Sequence, residues 1–319
     1  MKSPRSVISS VASAAAFTVM LAGCQSSDDT STEASAVPEE VVETPVAVVE
    51  AVDPASAALA AILAEQPEAV QARYAARHPQ ETLEFFGIKP GMSVLEALPG
   101  GGWYTKILLP YLGTDGTLVG ADYDKTLFPL FGFFSEERLK EKETWVEDWR
   151  AEAEGWFDGG VADVDAMQFG SLPGHLEGEL DAVLLIRALH NLARFENDGQ
   201  FLTAALADIN KALKPGGIVG VVQHMAPEEA PDTWADGSAG YLKKSFVVAQ
   251  MEETGLEFVA ESAINENPAD QPTTDDIVWR LPPTLATSKD NPELAEQLKA
   301  VGESTRMTLL FKKPANTRG

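Results

Sequence analysis

Cysteine is nearly absent from this chain of 319 residues: Cys24 is the only one. A single thiol excludes an internal disulfide and any zinc site built from several thiolates. Histidine is scarce as well, with four residues and no HxxxH or HxH pair to seed a metal centre, so no metal is expected. Bases are few, since 24 Lys and Arg stand against 49 Asp and Glu, a net charge of −25. A surface of that sign repels phosphate backbones, which argues against nucleic acid as partner or substrate. Long apolar runs are missing too. The stretch up to Met20 carries Lys2 and Arg5 and is then rich in Ala, Val and Ser, the make-up of a secretory signal and too short for a spanning helix.

What is present divides into three segments. Residues 1–23 read as the signal, and Leu21-Ala22-Gly23-Cys24 resembles the lipobox of bacterial lipoproteins. That resemblance implies cleavage before Cys24, its lipidation, and attachment to the membrane through that lipid. With Gln25 rather than Asp next, it implies a place in the cell envelope, on the outer membrane facing the periplasm. Residues 24–55 hold eight acids and no Lys or Arg, a composition that cannot offset its ordering entropy by burial, and read as a flexible tether. Residues 56–319 form the folded body, long enough for one large domain with its own core.

In the body, apolar periodicity predicts two short helices over residues 57–77, broken at Pro67, and a further helix over 82–86. Five strands follow: 92–98, 117–121 with Asp122 at its end, 161–165, 180–186 and 218–223. Helices fall at 103–112, 135–157 and 196–213, with a Lys214-Pro215-Gly216-Gly217 stop before the fifth strand. A helix over 241–254 and strands at 256–264 and 306–311 close the chain, with an irregular loop from residue 265 to about 289. Strands alternating with helices imply a Rossmann-like, seven-stranded, mostly parallel sheet with helices on both faces. Ligands of such sheets sit beyond the carboxyl ends of the strands, at the switch point.

The stretch VLEALPGGGWYT, Val94 to Thr105, puts a glycine turn at the end of the first strand. A P-loop needs Lys-Ser or Lys-Thr after its glycines, and none follows. The dinucleotide pattern GxGxxG matches at Gly100 and Gly102, but Thr105 takes the third position. The pattern [DE]xGxGxG matches at Glu96, Gly100 and Gly102, with Leu98 where the first glycine is usual. A plain tight turn between strand and helix is the remaining alternative. Asp122, twenty residues beyond Gly102, can accept both hydroxyls of a ribose.

With Asp165-Ala166-Met167 at the third strand and the LKPGG turn before the fifth, these signals resemble the class I S-adenosylmethionine-dependent methyltransferases over about residues 79–314. Segments such as Phe86-Gly87-Ile88-Lys89-Pro90-Gly91, Arg187-Ala188-Leu189-His190-Asn191 and Phe311-Lys312-Lys313-Pro314 are similar to a family of bacterial predicted methyltransferases. The resemblance implies the class I fold, S-adenosyl-L-methionine as cofactor, and contacts from Glu96, Gly100, Gly102, Asp122, Asp165 and Ala166. It implies a small-molecule methyl acceptor, without naming it.

In that fold the ends of the fourth and fifth strands face the methyl group. Arg187, His190 and Asn191 are therefore the first candidates for acceptor contact, and His224 ends the fifth strand on the same edge. His190 has the ordinary pKa of a general base near neutrality, or alternatively caps the next helix. The signal and the fold pull apart, since the cofactor is made in the cytoplasm. A catalytically inactive envelope protein that keeps the fold as a binding or scaffold module is the alternative reading.

Overall fold

The computed structural model describes residues 53–315. Cys24, its lipobox and the tether up to residue 52 lie outside them.

Helices α1 (Pro54–Ala64), α2 (Glu68–Gln71), α3 (Tyr74–Arg77) and α4 (Pro79–Phe85) lead into strand β1 (Ser93–Ala97). The pieces are short because Pro67 stops the chain before α2 and His78, in the left-handed region, separates α3 from α4. Helix α5 (Thr105–Leu112) and β2 (Thr117–Asp122) follow. The single charged helix expected over 135–157 is two, α6 (Glu136–Glu141) and α7 (Trp145–Glu154). Strand β3 is Asp163–Gln168, displaced toward the carboxyl end of its expected range, and β4 is Leu180–Ile186 as expected. Helices α8 (Leu189–Arg194), α9 (Glu196–Gly199) and α10 (Phe201–Ala212) precede the long β5 (Leu213–Ala226). The two-residue β6 (Leu242–Lys243), α11 (Lys244–Glu253), β7 (Glu257–Ser262), α12 (Pro292–Val301) and β8 (Arg306–Lys312) complete the order.

The strands lie in the order β3-β2-β1-β4-β5-β8-β7, with β6 paired to the end of β5. The first five are mutually parallel, and β8 runs antiparallel between β5 and β7. This is the class I methyltransferase fold, with one short strand more than the seven expected.

The central strands read as continuous apolar runs because both faces are covered. Alternate residues go to opposite sides. Val94, Leu118, Ala182 and Leu184 pack with α1, α4 and α5, while Leu95, Val119, Val183 and Leu185 pack with α8, α10 and α11. The tryptophans of α7 join the first face as a packing stripe: Trp145 and Trp149 stack at 5.6 Å, and Trp149 lies flat on Gly120 of β2. A Cβ at Gly120 would come within 2.4 Å of that ring. Gly120→Ala is therefore expected to destabilise the fold by about 1–3 kcal/mol through overpacking, read as a lower urea midpoint at unchanged slope. Gly101→Ala, whose Cβ meets nothing within 4 Å, should leave the midpoint where it is.

Candidate functional site

The order of strands reverses between β1 and β4, which makes the space beyond their carboxyl ends the switch point. Both strands leave it by a residue of unusual backbone. Leu98, directly after β1, has φ 55°, and Arg187, directly after β4, has φ 59°. Each costs on the order of 1 kcal/mol relative to an ordinary conformation. Each is held by its amide, Leu98 N donating to the Ala121 carbonyl at 2.7 Å and Arg187 N to the Val222 carbonyl at 2.6 Å. Leu98 thus keeps the left-handed turn of the glycine it replaces in the pattern.

Gly100 and Gly102 are left-handed too, and the Gly102 amide closes the turn onto the Pro99 carbonyl. At Gly100 and Gly101 a Cβ would meet open space apart from the turn's own Leu98 carbonyl at 3.9 Å, so the backbone is approachable there. Gly102 has a different reason to be glycine: the Trp156 ring lies 2.4 Å from where its Cβ would be.

Glu96 stands on β1 under this turn and is buried. Its Oε2 is 2.6 Å from Thr105 Oγ1, joining the strand to the first residue of α5. Burial pushes its carboxyl up to about 7, against the lowering effect of that hydrogen bond. Glu96 therefore ties strand to helix and is turned inward.

Asp122 ends β2 with its carboxylate nearly buried. Oδ1 accepts from the Tyr123 amide at 2.9 Å and Oδ2 from Lys142 Nζ at 2.7 Å. Burial raises its pKa and the Lys142 ammonium opposes the rise. Lys142 lies in the break between α6 and α7, over the Phe128 ring at 4.4 Å. The neighbour of Asp122 in the sheet is Gln168, the last residue of β3. Asp165 and Ala166 fall three and two residues earlier, beside Val119 and Gly120, within the strand instead of at its end. The Asp165 carboxylate is engaged by His175 Nε2 at 2.7 Å. The structure thus brings Asp122 to the edge near the glycine turn and leaves Asp165 and Ala166 back along β3. The expected range of that strand ended too early, because the acids at 163 and 165 do not interrupt an edge strand.

At the ends of β4 and β5, His190 and His224 converge, with ring centroids 5.7 Å apart. His190 Nδ1 faces Gln223 Oε1 at 3.4 Å, and His224 Nδ1 is 2.6 Å from Ser304 Oγ. Gln223 Nε2 donates to the Gly240 carbonyl, which turns Oε1 to His190 and selects the Nδ1–H tautomer, leaving Nε2 as the basic atom. Burial lowers His190 to about 4 and His224 well below its ordinary value. Both are neutral at pH 7 and weak bases. Asn191 donates to Tyr123 Oη at 3.0 Å, joining α8 to the end of β2, while its own buried Oδ1 has no partner among the described residues.

The segments 227–241 and 263–305 close over these histidines. Trp234 stacks on Tyr241, Val278 N donates to the Ala239 carbonyl, and the Trp279 ring lies 5.9 Å from His190. Sequence reasoning missed Lys142, Gln168, Glu303, Arg77 and Arg306 at this edge. No spacing marks them as a group, because they come from four separate parts of the chain.

Glu96 generates a pH signature. A carboxyl raised on folding contributes stability that is complete below its unfolded pKa and is lost as pH rises through about 7. Glu96→Gln keeps a neutral amide in that place, so its stability relative to wild type should improve by on the order of 3 kcal/mol between pH 4.5 and pH 8, followed by denaturant titrations across that range. An invariant difference would refute the buried, raised carboxyl.

No protein-family model matches the chain, and no curated protein matches it. Solved structures similar to it include the (4+2)-cyclase SpnF, at 17% identity over 76% of this chain and 81% of that one, TM-score 0.45. An arsenic(III) S-adenosylmethionine methyltransferase from Chlamydomonas reinhardtii shares 16% over 82% and 74%, TM-score 0.43. A SAM-dependent methyltransferase from Aquifex aeolicus shares 16% over 65% and 93%, TM-score 0.40. At this identity and overlap the likeness carries neither activity nor substrate to this chain.

Proposed function

We propose that the chain is an S-adenosyl-L-methionine-dependent methyltransferase acting on a small molecule, held in the bacterial envelope by a lipid on Cys24. The observation that carries the reading is the pairing, at one switch point, of an approachable glycine backbone with the Asp122 carboxylate at the end of the adjacent strand. These residues fit the cofactor by the chemistry of their donors and acceptors: backbone at Gly100 and Gly101 to lie against its amino-acid and ribose portions, and a carboxylate to accept from its hydroxyls. Bound there, the cofactor supplies a methyl group on a sulfonium that is already a good leaving group. The work of the protein is alignment and exclusion of water. Trp234, Tyr241 and Trp279 roof this side of the edge, and His190 Nε2, a weak base, would orient the acceptor by accepting a hydrogen bond from it.

The second reading, a binding or scaffold module without catalysis, is favoured by one feature: Lys142 Nζ already occupies the Asp122 oxygen that a ribose hydroxyl would use. Calorimetric titration of the full chain with S-adenosylmethionine separates the two, and no heat at millimolar cofactor would eliminate the enzyme. If cofactor binds at Asp122, Asp122→Ala should weaken it by an order of magnitude or more, a charge-assisted hydrogen-bond pair being worth about 1.5–3 kcal/mol. Lys142→Ala should strengthen it. For the anchor, incorporation of a labelled lipid precursor should disappear in Cys24→Ser.

A further inference from the structure

Three arginines meet around one carboxylate beside the ends of β4 and β5. Glu303, just after α12, receives Arg73 through Nε and Nη2 on Oε1. Arg77 Nε and Arg306 Nη1 approach its Oε2 at 3.6 and 3.4 Å. Arg306, 3% exposed, is further satisfied by the Ser304 and Ala76 carbonyls. Arg77, 4% exposed, is not: its Nε has no hydrogen-bond partner, and its guanidinium lies 4.5 Å above the Trp103 ring of the glycine turn.

Arg187, half-buried at the end of β4, makes no side-chain hydrogen bond or ion pair among the described residues. Glu303 is the carboxylate that acts on all of Arg77, Arg187 and Arg306. Three arginines therefore share one carboxylate while Arg187 stands without a partner among the described residues, in a chain whose net charge is −25. Burial and the neighbouring Arg187 push Arg77 down to about 9, and burial lowers Arg187 and Arg306 as well.

A buried guanidinium short of partners, as at Arg77, is costly, and an anion bound beside it would relieve that cost. Guanidinium pairs match the planar, two-oxygen geometry of carboxylate and phosphate. The cofactor cannot be that anion in net terms, since its amino-acid end is a zwitterion and its sulfonium is cationic. We propose that Arg187, backed by Arg77, binds the anionic group of the methyl acceptor, a carboxylate or a phosphate, at the carboxyl edge between the glycine turn and the two histidines. This rests on the methyltransferase reading only for the word acceptor; the anion site itself is independent of it.

The test titrates the full chain, without cofactor, with inorganic phosphate and separately with acetate and succinate, against sodium chloride at matched ionic strength, by calorimetry and thermal shift. Saturable binding of phosphate or of the carboxylates is expected, the stronger of them identifying the group, with at least a tenfold loss in Arg187→Gln. Arg187→Lys should keep part of the affinity, and it serves as the reporter if Arg187→Gln loses its native circular dichroism. S-adenosylhomocysteine should bind wild type and the Arg187 variants within twofold. A selective loss of S-adenosylhomocysteine, with phosphate and carboxylate binding unchanged, would assign Arg187 to the cofactor's carboxylate and overturn the proposal. So would the absence of any anion effect beyond chloride. Anion binding without cofactor binding would retain the site and reject the methyl-transfer reading alone.

Discussion

The divergence of β1 and β4 is the constraint on which the functional edge depends. Two parallel neighbours must send their chains to opposite faces of the sheet within a residue or two, and here both do so through a left-handed residue with a side chain. The strain at Leu98 and Arg187 persists because the amide of each is fixed to the adjacent strand. Once those turns are set, the glycine turn after β1 and Arg187 after β4 stand at the same carboxyl edge of the sheet.

Around that edge, electrostatics and packing are arranged in opposite senses. On the β2 side, a carboxylate is nearly buried and a single lysine from the break between α6 and α7 covers it. On the β4 side, cations are buried in excess and Glu303 alone balances part of them. Glu303 also binds distant parts of the chain together, since Arg73 and Arg77 belong to the amino-terminal helices and Arg306 opens the last strand. Two histidines kept neutral by burial stand next to this positive region, where neighbouring arginines oppose their protonation further.

The roof over the histidines comes from chain that the sheet does not need. Residues 227–241 and 263–305 are tied to one another by Trp234 Nε1 to the Asp276 carbonyl and by Val278 N to the Ala239 carbonyl, and the second segment is held internally by Arg280 with Asp270 and Asp276. Asn265 then pins the second segment to Thr82 and Thr308 at 3.0 Å each. These polar contacts hold an aromatic cover in place without extending the sheet, the usual division between a rigid scaffold and the loops that carry specificity.

Much of the architecture was legible in the sequence, because buried parallel strands are apolar runs of fixed length and β4 and β8 stood within a residue of their expected places. The glycine turn and Asp122 could be read from their places at strand ends, and the convergence of His190 with His224 from their adjacent strands, although β5 runs on past His224. Asp165 was misplaced because strand β3 is an edge strand and tolerates acids that look like a strand end. The break between α6 and α7 was invisible for a similar reason, since a helix of charged residues gives no periodic core face to interrupt. Of the arginine cluster only Arg187 was marked in the sequence, by its place after the fourth strand. Arg77, Arg187, Glu303 and Arg306 have no common spacing, and a buried charge reads in one dimension like an exposed one. The sequence by itself determined the order of elements and the turn at the first strand. Only the tertiary structure decided which charges would be stripped of water and set beside one another, because desolvation is a property of what the chain packs against.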